Sequence, residues 1–543
     1  MTVDATQLKT KAEASEFFVR AGFGGSLDQI TAAVGEDAAD LLKAEFEKPR
    51  RAYLPRTRTL FNSYADGNGR ANRSHANIFW KDMVEADDAL RHRMVFALSQ
   101  ILVTSDLPMG DRPFQNAYYL DVLGQHAFGN YRDLLEDVTY SPAMGEYLTY
   151  RGNRKGDPNT GRTPDENYAR ELLQLFTIGL VELNMDGTPK TGADGEPIEI
   201  YDNDDILGLA RVFTGLDLES KSTPGYERLH PRRNKPMAIF ADRHSPLEKS
   251  FLGTTIPAGT GAAASIDQAL DAIFAHPNVA PFISRQLIQR FTASHPEPAY
   301  VQRVAEAFEA GSFRAPNGTE FGTGDRGDLE ATLAAILLDE SQLIDDDVIR
   351  TTTDLGKVRE PVLDFVHWAR AFEVSPATPE NQWDLLYDAR NGADKIGQMP
   401  LSSPSVFNFY RPGYIAGGTE SGDQSLTVPE FQLLLQGNRA GYANMLTEFA
   451  FDRTYGPDNE TASFTPDYSG LLPLVETPEE LADYLDTLLM GGRMEATTRQ
   501  AIVDGVGAIE IRTNTSDNEA KDRFHRAAYG VTVAVTSPEF MIR

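Results

Sequence analysis

Cysteine is absent from all 543 residues. That excludes disulfides, zinc–thiolate centres, iron–sulfur clusters and a cysteine nucleophile, and it fits either redox compartment. No run is long and apolar enough to span a bilayer. The opening "MTVDATQLKTKAEASEFF" has no basic stretch followed by an apolar one, so no signal peptide is visible. The chain is therefore expected to be cytoplasmic, to be exported with a partner, or to begin after a removed leader. Positive charge is scarce: 51 Lys and Arg stand against 80 Asp and Glu, a net −29. Such a balance repels phosphate backbones and anionic lipid, which argues against nucleic-acid and polybasic membrane binding. Familiar catalytic signatures are missing too: HExxH, GxSxG, a Walker A loop, and GxGxxG opening a helix. "GFGGS" at 22–26 lacks that spacing and a preceding strand, and is expected to be a turn.

What is present reads mainly as helix. "DALRHRMVFALSQILV", "DQALDAIFAHPNVAPFISRQLIQRF", "AYVQRVAEAFEA", "DLEATLAAILLDE", "REPVLDFVHWARAFE" and "RFHRAAYGVTVAV" place apolar residues three or four apart among helix formers. The clearest strand signal is "LVELNMDGTPKTGADGEPIEIYDNDD" (180–205), two short runs split by Asp-Gly pairs. The expected class is mainly α: a multi-helix globular protein with long ordered loops and a small β-hairpin near 180–200. Asp202 to Asp205 are expected to cap the next helix, "DILGLARVFTGL". The length suggests two to four packed units. A boundary near 350, at "DDDVIRTTTDLGKVREP", would divide an N-terminal helical region (1–350) from a C-terminal one (351–543), unless the two form one continuous domain.

"TPDENYARELLQLFTIGL" (163–180) carries the densest pattern. Thr163 suits an N-cap, Pro164 the first helical position, Glu166 a capping box and Gly179 a C-terminal stop. At 100° per residue, Asn167, Arg170, Glu171, Gln174 and Thr177 share a sector of roughly 120°, while the remaining face is apolar. The stripe is either a solvated or satisfied network, or the wall of a cleft in which Glu166, Arg170 and Glu171 bind ligand or exchange protons. The spacing predicts a buried Arg170 paired with Glu166 or Glu171, whose truncation would cost roughly 3–5 kcal/mol.

Two long segments lack helical pattern. The first (218–253) is locally basic, with Lys221, Arg228, Arg232, Arg233, Lys235 and Arg243. It is expected either to be a solvated loop whose charges pair internally, or to form a positive patch for anionic ligands. The second (397–431) includes Phe407, Phe409, Tyr410 and Tyr414 beside Arg411. These either pack on the core or form a stacking platform for sugars or peptides, and in both cases the loop is expected to be ordered. The nine histidines are scattered. His230, His244 and His276 are capping or packing groups, or metal ligands completed by distant carboxylates. Asp186, Asp194 and Asp202 fit calcium as well as Asp-Gly turns.

"RTPDENYARELLQLFTIGLVELNMDGTPK" closely resembles the signature of the bacterial DUF1800 family, large proteins of unknown function. "FFVRAGFGGS", "LRHRMVFALSQILVTSD", "HSPLEKSFLG", "HPNVAPFISRQLIQRF", "SSPSVFNFYRPGY" and "TSPEFMIR" match it in the same order, so the resemblance spans essentially the whole chain. The family pattern often has HDP where this chain has His244-Ser245-Pro246. The resemblance implies a mostly helical fold and a frequent genomic neighbour, the sulfatase-like DUF1501 proteins, which often carry export signals. That context favours a periplasmic or extracellular location. Three functions follow as expectations: an accessory partner of an exported DUF1501-type protein at the cell envelope; a cofactor-independent hydrolase or lyase acting on an extracellular anionic polymer; or a secreted structural or surface-assembly protein. Glu166, Arg170, Glu171 and His244 are the catalytic candidates. Arg232, Arg233, Arg243, Tyr410 and Arg411 are the candidates for binding an anionic glycan. The sequence assigns no metal or cofactor.

Overall fold

From Leu90 to Ile101 every residue except Arg91 is buried. A helix that is enclosed on all sides belongs at the centre of a large domain, and this one (Ala89–Ile101) is the axis around which the computed structural model is built. The structure describes residues 6–64, 71–110, 112–342, 356–376, 396–434, 436–452 and 464–543. The expected boundary near 350 lies outside them.

Helices Tyr53–Ser63, Ser74–Glu85 and Pro113–Gln125 pack mutually on one side of the axis, and Tyr131–Tyr140 packs on the last of them. On another side Val279–Phe291 joins the axis to Pro298–Ala310 and Leu329–Leu337. A third group comprises Gln436–Ala450, Pro478–Leu485, Ala496–Ala508 and Ser516–Val535. The helix Pro361–Ala371 links this group to the first. It is buried except for Arg370. That guanidinium donates to the carbonyls of Met83, Val84 and Ala86 at 3.2, 2.9 and 3.2 Å, capping the end of Ser74–Glu85. A cation there satisfies orphan carbonyls and complements the helix dipole.

The expected mainly α class is what the chain forms. Strands are few and short, but they exceed one hairpin. Four antiparallel two-stranded pairs occur among the described residues: Leu216–Asp217 with Ala238–Ile239, Lys249–Phe251 with Thr254–Ile256, Phe313–Arg314 with Glu320–Phe321, and Ser375–Pro376 with Phe464–Thr465. The 180–200 excursion is itself a ring of three segments. Glu182 N–H donates to Ile198, Lys190 N–H to Glu182 and Ile198 N–H to Lys190, at 2.8, 2.7 and 3.1 Å. Asp186 and Asp194 each accept the amide two residues on, which fixes the two turns. Asp202 caps the following helix, Asn203–Ala210, in a full capping box with Asp205. These three carboxylates therefore do backbone work, and among the described residues no group of three His, Asp or Glu is placed to hold a metal ion. Nor is any described helix long and apolar enough to cross a membrane.

The two ends of the chain meet. Helix Lys11–Ala21 packs on the π-helical turn Asp486–Met490, and Ser15 Oγ donates to the Leu488 carbonyl at 3.2 Å. Buried Glu16 accepts Arg543 at 2.6 Å and Arg493 at 3.1 Å, with Arg20 at 3.8 Å. Burial opposes its ionisation, but the guanidiniums of Arg493, Arg543 and Arg20 outweigh burial and hold the carboxyl at about 2, below its ordinary 4.5. A carboxyl depressed in the folded state stabilises fully above its unfolded value and ceases to do so as pH falls through the folded one. Glu16→Gln is therefore expected to cost about 3–5 kcal/mol at neutral pH in urea unfolding. The difference from wild type should shrink between about pH 4.5 and pH 2, and a pH-independent difference would contradict this assignment.

Candidate functional site

The loop before the signature helix is pinned by its own amides. Gly152 N–H donates to the Leu216 carbonyl at 2.7 Å, Lys155 N–H to Arg243 at 2.8 Å, and Gly215 N–H to Asn153 at 2.9 Å. The Asn153 side chain takes both backbone groups of Asp165, accepting from its N–H at 3.0 Å and donating to its carbonyl at 3.3 Å. Residues 163–166 are thereby held outside the helix. The helix runs Asn167–Gln174, beginning three residues later than the expected first helical position, Pro164. Thr163 is exposed and caps nothing. Asp165 caps instead: its Oδ1 accepts Asn167 N–H at 3.0 Å and its Oδ2 accepts Thr149 Oγ1 at 2.9 Å. The far end also departs from expectation: the helix stops at Gln174 with Leu175 at its C-cap, five residues before Gly179, which instead closes the turn that follows. Gly179 has φ +77°, and a Cβ there would lie 2.8 Å from the Phe282 ring, so only glycine closes this turn.

The pinned loop and the start of the helix enclose an open cleft, whose walls carry Arg151, Arg154, Arg162 and Arg170 together with Asp165 and Glu166. Arg170 is not buried. Its side chain is 39% exposed and lies 3.4 Å from Glu166, itself 41% exposed. The expected partner is correct and the expected burial is not, because the N-terminal part of the stripe, Asn167 and Arg170, opens on the cleft, while Glu171 and Thr177 are buried. Arg162 Nε donates to the Lys155 carbonyl at 3.1 Å, and exposed Arg154 has no carboxylate partner among the described residues.

Behind the cleft the basic segment is tied down. Arg232 meets Glu227 at 2.5 Å, Arg243 meets Asp217 at 2.8 Å, Lys235 pairs with Glu219, and Lys221 lies 3.8 Å from Glu227. Arg233 is buried, bonded to Glu146 at 2.6 Å and to Gln115 at 2.9 Å. The free positive patch expected of this segment is thus replaced by internal pairs. The pairing is incomplete in charge, however. Arg112 and Arg151 also lean on Glu146 and Asp217, so seven cations share Glu146, Asp217, Glu219 and Glu227. Burial, with Arg233 and Arg151 nearby, pulls the Arg112 guanidinium down to about 10.

The remaining candidates lie elsewhere. Glu171 points away from the cleft and is 7% exposed, with no partner for its Oε2 among the described residues. Burial raises its carboxyl, against a lowering pull from Arg170. Tyr147 and Tyr201 feel its charge: burial above all, with Glu171 adding to it, pushes both phenols up to about 12, against a lowering hydrogen bond to Ser403 at Tyr147 and the pull of Arg170 at Tyr201. His244 is buried. Its Nδ1–H donates to the Thr214 carbonyl at 2.8 Å, its Nε2 lies 3.4 Å from Ser265 Oγ, and burial lowers its basicity, so it is a neutral packing group. Tyr410 is buried too, donating to Glu360 Oε1 at 2.8 Å beneath the Arg290 guanidinium. Its ring is closed to ligands. Exposed Arg411 stacks over Phe407 at 5.1 Å. The aromatic loop is ordered, as expected, and half-buries Phe407 and Phe409. Glu166 and Arg170 alone of the sequence candidates share the cleft. Sequence reasoning missed Arg151, Arg154, Arg162 and Glu146. The signal was the run of arginines in "YRGNRKGDPNTGRTP", immediately before the signature helix.

An α-helical scaffold with an arginine-walled cleft at the ENYAREL segment is the class this chain defines. The family model described as "Protein of unknown function (DUF1800)" matches residues 16–542, and the chain belongs to that family. No curated protein and no solved structure matches it.

Two substitutions separate the exposed pair from the buried hub. Arg170→Ala is expected to cost about 0–1 kcal/mol, the range of a solvated pair. Glu146→Gln removes the carboxylate shared by three guanidiniums and is expected to cost roughly 3 kcal/mol. Equal losses in denaturant titrations would refute this ordering.

Proposed function

We propose that this protein is the ligand-recognising accessory member of a complex with an exported sulfatase-like protein of the DUF1501 type at the cell envelope. Its cleft takes the sulfate or carboxylate groups of an extracellular anionic glycan. The observation that carries this proposal is local: four arginines wall an open cleft, and a cation excess lies behind it, in a chain of net −29. Planar guanidiniums bind such oxyanions by paired hydrogen bonds, and a positive recess within a negative surface focuses acidic ligands. Arg154 and Arg162, which hold no carboxylate, are the groups free to do so.

Isothermal titration with sulfated and carboxylated oligosaccharides tests it. Arg154→Glu with Arg162→Glu is expected to weaken binding roughly tenfold or more, and wild-type affinity should fall steeply with salt. Unchanged binding at low salt in the folded double variant would refute the cleft as the site. Co-purification of a DUF1501-type protein with the wild-type chain tests the partnership separately.

A second reading rests on Glu171. A carboxyl raised by burial, on the helix that borders the cleft, suits a general acid in a hydrolase or lyase acting on the same polymer, and since it faces away from the cleft this reading requires the helix to turn it toward a bound chain. A raised carboxyl lowers stability as pH climbs past its unfolded value, so Glu171→Gln is expected to stabilise the protein at neutral pH and to lose that advantage below about pH 4. If the wild-type protein cleaves the polymer and Glu171→Gln abolishes that cleavage, the enzymatic reading replaces the accessory one.

A further inference from the structure

A second cavity lies far from the cleft in character. It is about 20 Å³, room for one water-sized body. Its wall is assembled from distant parts of the chain: Arg20 and Phe23 near the N-terminal helix, Arg93 on the central helix, Phe291, Lys357 and Arg359, and Arg543. Five of these are cations, and among the described residues no acidic side chain lines it.

Most of the five are satisfied away from the cavity. Lys357 Nζ bonds Glu430 at 2.7 Å and the Gln289 carbonyl at 2.8 Å. Arg359 meets Asp364 at 3.3 Å and donates to His367 Nδ1 at 3.0 Å. Arg20 donates to the Gln342 carbonyl at 2.6 Å, and Arg543 bonds Glu16 at 2.6 Å. Arg93 is the exception. It is 2% exposed, and only its Nη2 is used, on the Arg290 carbonyl. Its Nε and Nη1 have no partner among the described residues, and neither does Nε of Arg543. The aromatic faces near Arg93, with Phe291 at 4.7 Å and Phe23 at 5.9 Å, do not replace hydrogen-bond acceptors. A buried guanidinium with two idle donors is costly unless an acceptor is supplied.

We propose that this cavity binds one small monatomic anion, chloride under physiological conditions, held by Arg93 with the flanking charges of Arg20, Lys357, Arg359 and Arg543. A neutral water supplies an acceptor but leaves the crowded positive charge unbalanced. Chloride supplies both. The anion joins the N-terminal helix, the central helix and the C-terminal segment at one point, so it acts as a structural clamp independent of the glycan cleft.

Two measurements decide it. Crystals of the full chain soaked in sodium bromide should show an anomalous peak in this cavity. Thermal unfolding should occur at a higher temperature in sodium chloride than in sodium isethionate of equal ionic strength, with a saturable dependence on chloride. Arg93→Met should abolish the chloride-specific increment while keeping the common response to ionic strength. An empty or water-filled cavity in the bromide crystal overturns the proposal. So does bromide in the cavity with equal unfolding temperatures in the two salts, which would mark an adventitious ion. Both measurements use the wild-type protein, so a variant that fails to fold leaves the decision intact.

Discussion

Glu16 is one carboxylate on which three arginines converge, and the closure of the fold depends on it. Arg20 belongs to its own helix, Arg493 follows the π-helical turn, and Arg543 is the last residue of the chain given. An ion so deeply buried persists only because its neighbours replace water on nearly every side. The bridge between Val358 and Ile542 brings Arg543 beside Lys357 and Arg359. The same convergence that neutralises Glu16 thereby crowds cations around Arg93. The two features share one local arrangement, in which Arg20, Arg493 and Arg543 converge on the single carboxylate of Glu16.

That excess recurs at the cleft. Glu146 gathers Arg112, Arg151 and Arg233, yet it is a single charge. Internal pairing holds Arg151 on the wall and Arg112 and Arg233 behind it without cancelling their field, so the cleft backs onto fixed positive charge. Rigid placement matters for recognition, since less conformational freedom is lost when a ligand binds. The chain as a whole is strongly acidic, and the contrast gives an approaching polyanion one favourable place to land.

Local signals were legible in the sequence where the partner lay a few residues away. The Asp202 cap, the Asp-Gly turns and the Glu166–Arg170 pair were all readable because each is closed within one turn or one helical step. The start of the signature helix was not readable, because Asn153 holds Asp165 from twelve positions upstream and displaces Thr163 from the cap. The basic segment misled for the same reason. Glu146 and Gln115, which hold Arg233, lie 87 and 118 positions from it. Periodicity gave Arg170 a place on a polar stripe, but periodicity does not say whether a stripe faces a core or a cleft. For Tyr410 the sequence left core packing and a ligand platform both open, because nothing in its neighbourhood announces Glu360, fifty positions away.

The ring formed by residues 180–200 also bears on how the surface meets other chains. An ordinary hairpin leaves two outer edges with idle amides and carbonyls, the template on which a neighbour adds a strand. Here each segment spends its central amide on one neighbour and its central carbonyl on the other, so there is no outer edge at that level. The excursion projects into solvent with mostly exposed side chains, yet it offers nothing to β-addition and no ready extended strand to a protease. It is a protrusion that recognises, if at all, through its side chains alone.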